Sequence, residues 1–405
     1  MSEKKTKNKK SPYAVDGKVR IRDSYYTFSQ QYPSRILPLE GKRRKGRKQR
    51  TVKKCLAALA FIFLVCFSYC AMNVLFDISY KAPESTDSSV TESTESTEEV
   101  LSLLEEEGIR ALYMPYERLG DRDYIRNLIK EVQIKNCNSV VIDFKTEEGK
   151  LIYTSMNEYA ITAKAALFDN NTVRQAIDLF RAKDVNIVAR VFCFRDSLSS
   201  SANPDLAVKY MNTDINWLDS SDEKGGSTWL NPLSVKARGY IRDVVSEVLS
   251  FKVDGIILEG VHFPTGENTS GATYPGEKKA SARNKVLRDF VSDIKAILPK
   301  DSFLLLSQTA TDILEGNEDI YFGDMLFSCA DGFNVDTLGR DEKYTIDRKT
   351  DFVSIFSLFS AIKESAGEKK AVYTVHMSEY SAAYLRKMKK AGYENFILYS
   401  ADGEY

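Results

Sequence analysis

The chain has 405 residues, with 57 Lys+Arg, 57 Asp+Glu, 43% hydrophobic and 11% aromatic residues. That composition excludes a mainly disordered or collagen-like chain, and six cysteines in this length exclude a disulfide scaffold. The neutral total hides an asymmetry. Residues 1–54 carry 18 basic and 4 acidic side chains, net +14, whereas the other 351 carry 39 and 53, net −14.

Taken in chain order, residues 1–54 lack an apolar period and read as a disordered basic tail. Its charge either attracts anionic lipid or only fixes topology; nucleic acid is not an expected partner. Residues 55–76, CLAALAFIFLVCFSYCAMNVLF, are 22 uncharged residues. A helix of roughly 20 apolar residues crosses a bilayer core. The basic block at 45–54 abuts its N-terminal end, so the positive-inside rule predicts a cytoplasmic N-terminus and an exported C-terminal bulk. A cleaved signal peptide is the alternative, but the apolar run exceeds the usual ~7–15 residues. The expected localisation is therefore the cell membrane, single-pass, with the lipid bilayer as a partner through 55–76. Residues 77–107 read as an acidic Ser/Thr-rich linker: 82–107 hold nine acidic residues and no basic one, with VLSLL beginning local helical order.

From residue 108 onward, strands and helices alternate. Strands are expected at 109–115, 138–145, 185–194, 253–263, 302–308, 330–337, 371–377 and 394–400. Helices are expected at 121–136, about 172–183, 235–251, 281–298, 351–365 and 381–392, with a weaker helical stretch before the sixth strand. Segments such as NSVVIDFK are apolar without interruption, the pattern of a parallel strand buried on both faces. Eight strands within 298 residues predict a (β/α)8 TIM barrel, with an open doubly wound sheet as the alternative. Cys137, Cys193 and Cys329 lie in or beside apolar runs and read as free thiols.

Three segments together resemble the putative glycoside hydrolase domain family, whose members have an alpha-amylase-like barrel. They are VVIDFKTEEGKLIYTS (140–155), VARVFCFRD (188–196) followed by WLNP (229–232), and VDGIILEGVHFP (253–264). The family shows Ile-Asp-x-Lys then Gly, Tyr and Ser; an Ala-Arg strand, a Lys/Arg-Asp pair and Trp-x-x-Pro; and an Asp-x-Ile strand ending in an acidic residue and Phe-Pro. This chain departs from it with Glu259 for the usual Asp, Gly260 for an aromatic and His262 for Arg. It also has Ile257 where amylases carry Arg, and lacks Pro-Met-x-Tyr-Pro at the sixth strand.

The resemblance implies hydrolysis of glycosidic bonds, which needs two carboxyl groups. Glu259, at the family's acidic position, is the first candidate; Asp143, ending the second strand, is the other. Either could instead be structural: Glu259 paired with a base, Asp143 with Lys145 or Arg190. Asp336 and Asp331 on the sixth strand are further partners, Asp196 a weaker one. Lys145, Arg190, Trp229, His262, Asp336 and His376 are candidate substrate contacts. Trp217 and Tyr274, in loops, offer further faces for sugar rings. No cofactor is expected, and two distant histidines argue against a zinc site. The expectation is a membrane-anchored hydrolase of envelope or extracellular polysaccharide. Its rivals are a non-catalytic glycan-binding barrel and an envelope scaffold.

Overall fold

The computed structural model describes residues 101–267, 269–275, 281–336, 352–367, 369–376 and 382–405, plus a two-residue antiparallel pair, Ala14–Val15 with Lys18–Val19. The chain divides into two compact units, Met1–Glu95 and Ser96–Tyr405. The apolar segment 55–76 and most of the linker lie outside the described residues. No described helix is long and apolar enough to cross a membrane.

The second unit is a closed barrel of eight parallel strands: β1 (Arg110–Met114), β2 (Ser139–Lys145), β3 (Asn186–Phe192), β4 (Gly255–Glu259), β5 (Phe303–Thr309), β6 (Gly332–Asp336), β7 (Lys370–His376) and β8 (Phe396–Tyr399). Each strand pairs with the next in sequence, and β8 closes on β1 through Phe396–Arg110 to Leu398–Leu112. Closure removes the open-sheet alternative. The long helices are α1 (Arg122–Ile134), α2 (Asn170–Arg181), α3 (Val235–Leu249), α4 (Ser281–Lys295), α6 (Phe352–Ala366) and α7 (Ala382–Lys390); between β5 and β6 come the short α5 (Ala310–Glu315) and a single turn, Glu318–Tyr321. Helix starts follow local chemistry. Asp121 accepts from the Asp123 and Tyr124 amides at α1, Asp169 from Asn171 and Thr172 at α2, and Ser234 from Ala237 at α3.

Two apolar clusters explain why the strands are continuously hydrophobic. Ala111, Val141, Val188, Ile257, Leu305, Val372 and Ile397 fill the lower barrel interior. Their neighbours Leu112, Ile142, Ala189, Leu258, Leu306 and Leu398 face the helices. Both strand faces are therefore dry. Gly255 leaves room for Phe303 inside the barrel, since a Cβ there would lie 2.1 Å from its ring. The floor is closed by the turn Leu103–Glu106, which starts in the VLSLL stretch expected to begin helical order and runs on into Glu105 and Glu106. Leu104 joins the interior cluster, and Lys370 Nζ donates to the Leu104 carbonyl at 2.7 Å. Cys137, Cys193 and Cys329 are free thiols.

Candidate active site at the barrel mouth

In a (β/α)8 barrel the C-terminal strand ends carry the chemistry, and here the interior turns polar toward that end. On β6, Asn334 Nδ2 donates to Ser307 Oγ at 3.0 Å, and Asn334 Oδ1 accepts from Thr374 Oγ1 at 2.7 Å, linking β5, β6 and β7. On the other side, Asp143 of β2 accepts from Arg190 Nε at 2.5 Å, from Arg190 Nη2 at 3.0 Å and from the Tyr113 hydroxyl at 2.9 Å. The Arg190 guanidinium lies between the rings of Tyr113, at 5.1 Å, and Phe192, at 5.4 Å. Tyr113 also packs on Tyr399, with ring centroids 4.6 Å apart. Burial opposes the charge on Arg190, yet Asp143, and more weakly Glu259, hold it firmly protonated. Burial, followed by the Asp143 charge, keeps the Tyr113 hydroxyl protonated.

Glu259 ends β4 opposite Phe192 of β3, and its carbonyl accepts from the Cys193 amide at 2.8 Å. Its residue exposure is 5%. Two positions along β4 from the interior residue Ile257, it faces the barrel axis. Asp336 has the same relation to Asn334 on β6 and is 7% exposed. Beyond Glu259, the chain turns at Gly260, at φ +67°, into His262, whose Nδ1 lies 2.7 Å from the Phe263 carbonyl. The His262 ring sits 5.7 Å from Trp229 and 6.2 Å from Tyr321. The Tyr321 hydroxyl is held protonated, first by burial, then by the charge of Asp312, with Glu259 contributing.

Several expected site residues are buried or paired within the frame. Lys145 is wholly buried, and its Nζ bonds to Asp196 at 2.8 Å and to the Phe192 carbonyl at 2.9 Å. A substrate cannot reach it. The register shift between Asp143 and Lys145 turns Lys145 away from the axis, toward Tyr240 of α3. Asp196, equally buried, caps the turn Ser197–Ala202 through the Ser199 amide. Gly149 is the residue that clears space for it, because a Cβ there would come within 1.9 Å of Asp196 Oδ1. Asp143, expected to be catalytic, has both oxygens engaged by Arg190 and Tyr113.

Trp229 is only 2% exposed, its Nε1 donating to Asp219 at 3.0 Å; Trp217 and Tyr274 are buried too, so their rings pack the cap and are not open platforms. Asp331 precedes β6 at the opposite, N-terminal end, where it pairs with Lys295 and accepts from the Leu304 amide. His376 ends β7 beside Tyr399; its side chain lies outside the described residues. Sequence reasoning missed Tyr113, Ser307, Asn334 and Thr374. Their signal was present, as polar groups at alternate positions in strands otherwise apolar. No cluster of three or more metal-ligating side chains occurs among the described residues.

Residues 111–308 match the family model described as "Putative glycosyl hydrolase domain". That span runs from β1 to β5, includes Glu259, and agrees with the resemblance carried by the three motifs. No curated protein matches the chain. A hypothetical protein from Ruminiclostridium thermocellum is 22% identical over 48% of this chain and 96% of its own, at a TM-score of 0.42. The Bacillus cereus spore cortex-lytic enzyme SleL is 8% identical over 72% and 70%, at 0.41. The GH36 alpha-galactosidase AgaA from Geobacillus stearothermophilus is 11% identical over 73% of this chain and 39% of its own, at 0.46. At these scores no chemistry is carried over.

Proposed function

We propose that the chain is a membrane-anchored glycoside hydrolase that cleaves envelope or extracellular polysaccharide. One observation carries the reading: a carboxylate, Glu259, ends β4 inside the polar mouth of a barrel that matches a glycosyl hydrolase family. A buried carboxyl facing the axis can attack or protonate a glycosidic bond, and a second one must complete the pair. We take Asp336, two strands away on the same rim, as the second; Asp143, paired with Arg190, lies on the other side of Glu259. His262 then supplies a polar edge for sugar hydroxyls, and the Asp143–Arg190–Tyr113 group a fixed wall. The uncharged run 55–76 between a basic tail and an acidic linker supports the anchor, with residues 1–54 cytoplasmic and the barrel outside.

The engagement of Asp143 also favours a second reading, a barrel that binds glycans without cutting them. Release of reducing ends from purified envelope glycans, by the full chain in detergent micelles, separates the two. Hydrolysis abolished by Glu259→Gln and by Asp336→Asn supports the enzyme, since loss of general acid–base catalysis costs about 10²–10⁴-fold. Hydrolysis unchanged in Glu259→Gln removes that residue from the chemistry; glycan binding with no hydrolysis establishes the binding barrel.

A further inference from the structure

A second polar feature lies beside the mouth. The loops after β2 and β3 and the segment before Trp229 enclose a pocket of about 170 Å³ lined by Glu147, Glu148, Arg195, Ser197 and Ser227. Its lining is a set of hydroxyl, carboxylate and guanidinium groups, the complement of a polyhydroxylated ring. A chain of contacts joins it to the proposed centre. The Arg195 guanidinium lies 5.7 Å over Trp229, whose ring is 5.7 Å from His262, three residues beyond Glu259.

The charge around the pocket is unbalanced. Arg195 is already shared, paired with Glu147 and 3.7 Å from Asp219. Asp219 is itself fixed by the Trp229 indole and the Ser227 amide. Glu148 is exposed, and among the described contacts its carboxylate accepts only from the Thr146 hydroxyl, at 2.9 Å. The lining therefore holds two carboxylates, Glu147 and Glu148, to one guanidinium, which Asp219 also neutralises in part. The Tyr116 hydroxyl is pushed up to about 12, first by burial, then by its hydrogen bond to Glu117 and the Glu117 charge, with Glu148 and Asp143 contributing less. A neutral or anionic sugar leaves that excess uncompensated, whereas a cation pairs with Glu148.

We propose that this pocket is a substrate subsite for a cationic sugar, a hexosamine whose 2-amino group is free and protonated, with Glu148 as the ammonium partner. The inference rests on the carbohydrate-active reading of the barrel and narrows its substrate class.

The test measures binding of glucosamine oligosaccharides and of their N-acetylated counterparts to the full chain in detergent micelles, by calorimetry in slightly acidic, low-salt buffer. The expected result is a preference for the free amine of about three- to fivefold, the ratio an exposed ion pair supports. It should shrink as salt is added and fall to parity in Glu148→Gln. Glu131→Gln makes the same charge change on α1, away from the pocket, and should keep the preference. Equal affinity for the two oligosaccharides, or a preference that survives Glu148→Gln or is lost equally in Glu131→Gln, overturns the subsite. Reducing-end release keeps the two proposals apart. Cleavage without amine preference rejects the subsite alone, and amine preference without cleavage of any glycan leaves the subsite standing on a binding barrel.

Discussion

Replacing Lys145 with Met tests the frame beneath the site. Lys145 and Asp196 are both fully buried and 2.8 Å apart. Lys145 also donates to the Phe192 carbonyl, immediately before Cys193, whose amide holds the Glu259 carbonyl. Met preserves the length and apolar character of the stem. It leaves Asp196 with one oxygen held by the Ser199 amide and the other without its counter-charge. Removing one member of a buried pair costs about 3–5 kcal/mol, against a total stability of about 5–15 kcal/mol for a typical domain. The chain contains only two tryptophans, Trp217 and Trp229, both buried in the cap beside this pair's loop. Tryptophan fluorescence during urea unfolding of the full chain therefore reports on the barrel alone. Lys145→Met should lower stability by about 3 kcal/mol or more, and adding Asp196→Leu should restore most of it, because a dry apolar pair replaces the stranded carboxylate. A loss below about 1 kcal/mol in Lys145→Met, or no recovery in the double variant, would refute the argument that a buried charge pair holds this rim.

Asp143→Asn should cost less than Lys145→Met, about 1–3 kcal/mol in the same titration, because it removes the charge partner of Arg190, which keeps some solvent exposure; Arg190→Lys should fail to replace the two-pronged contact. The Cys193 thiol is pushed up to about 12 by burial, so little thiolate forms near pH 8. Peptide mapping after iodoacetamide should find Cys193 unmodified in the native chain and modified after denaturation; rapid native modification would contradict its packing. Protease added to intact protoplasts should remove the barrel and spare residues 1–54, and a protected barrel would reverse the proposed topology.

The alternation of strands and helices was legible in the sequence because each barrel strand is dry on both faces. Burial forces runs such as VVID and IIL, and the helices between them keep one apolar stripe. Glu259 was legible for the same reason, as a carboxylate directly after an apolar strand. What the sequence did not contain was side-chain direction and partner choice. Asp143 and Lys145 stand two apart and should share a face, but the register shift between them sends one to the barrel axis and the other to the helical layer. Asp331 and Asp336 flank one short strand, and only the closed sheet puts one at the floor and the other at the rim. The pairs Lys145–Asp196 and Asp143–Arg190 join residues roughly fifty positions apart. Motif spacing records that such residues occur together; strand register and barrel closure decide which charges neutralise one another and which remain at the mouth.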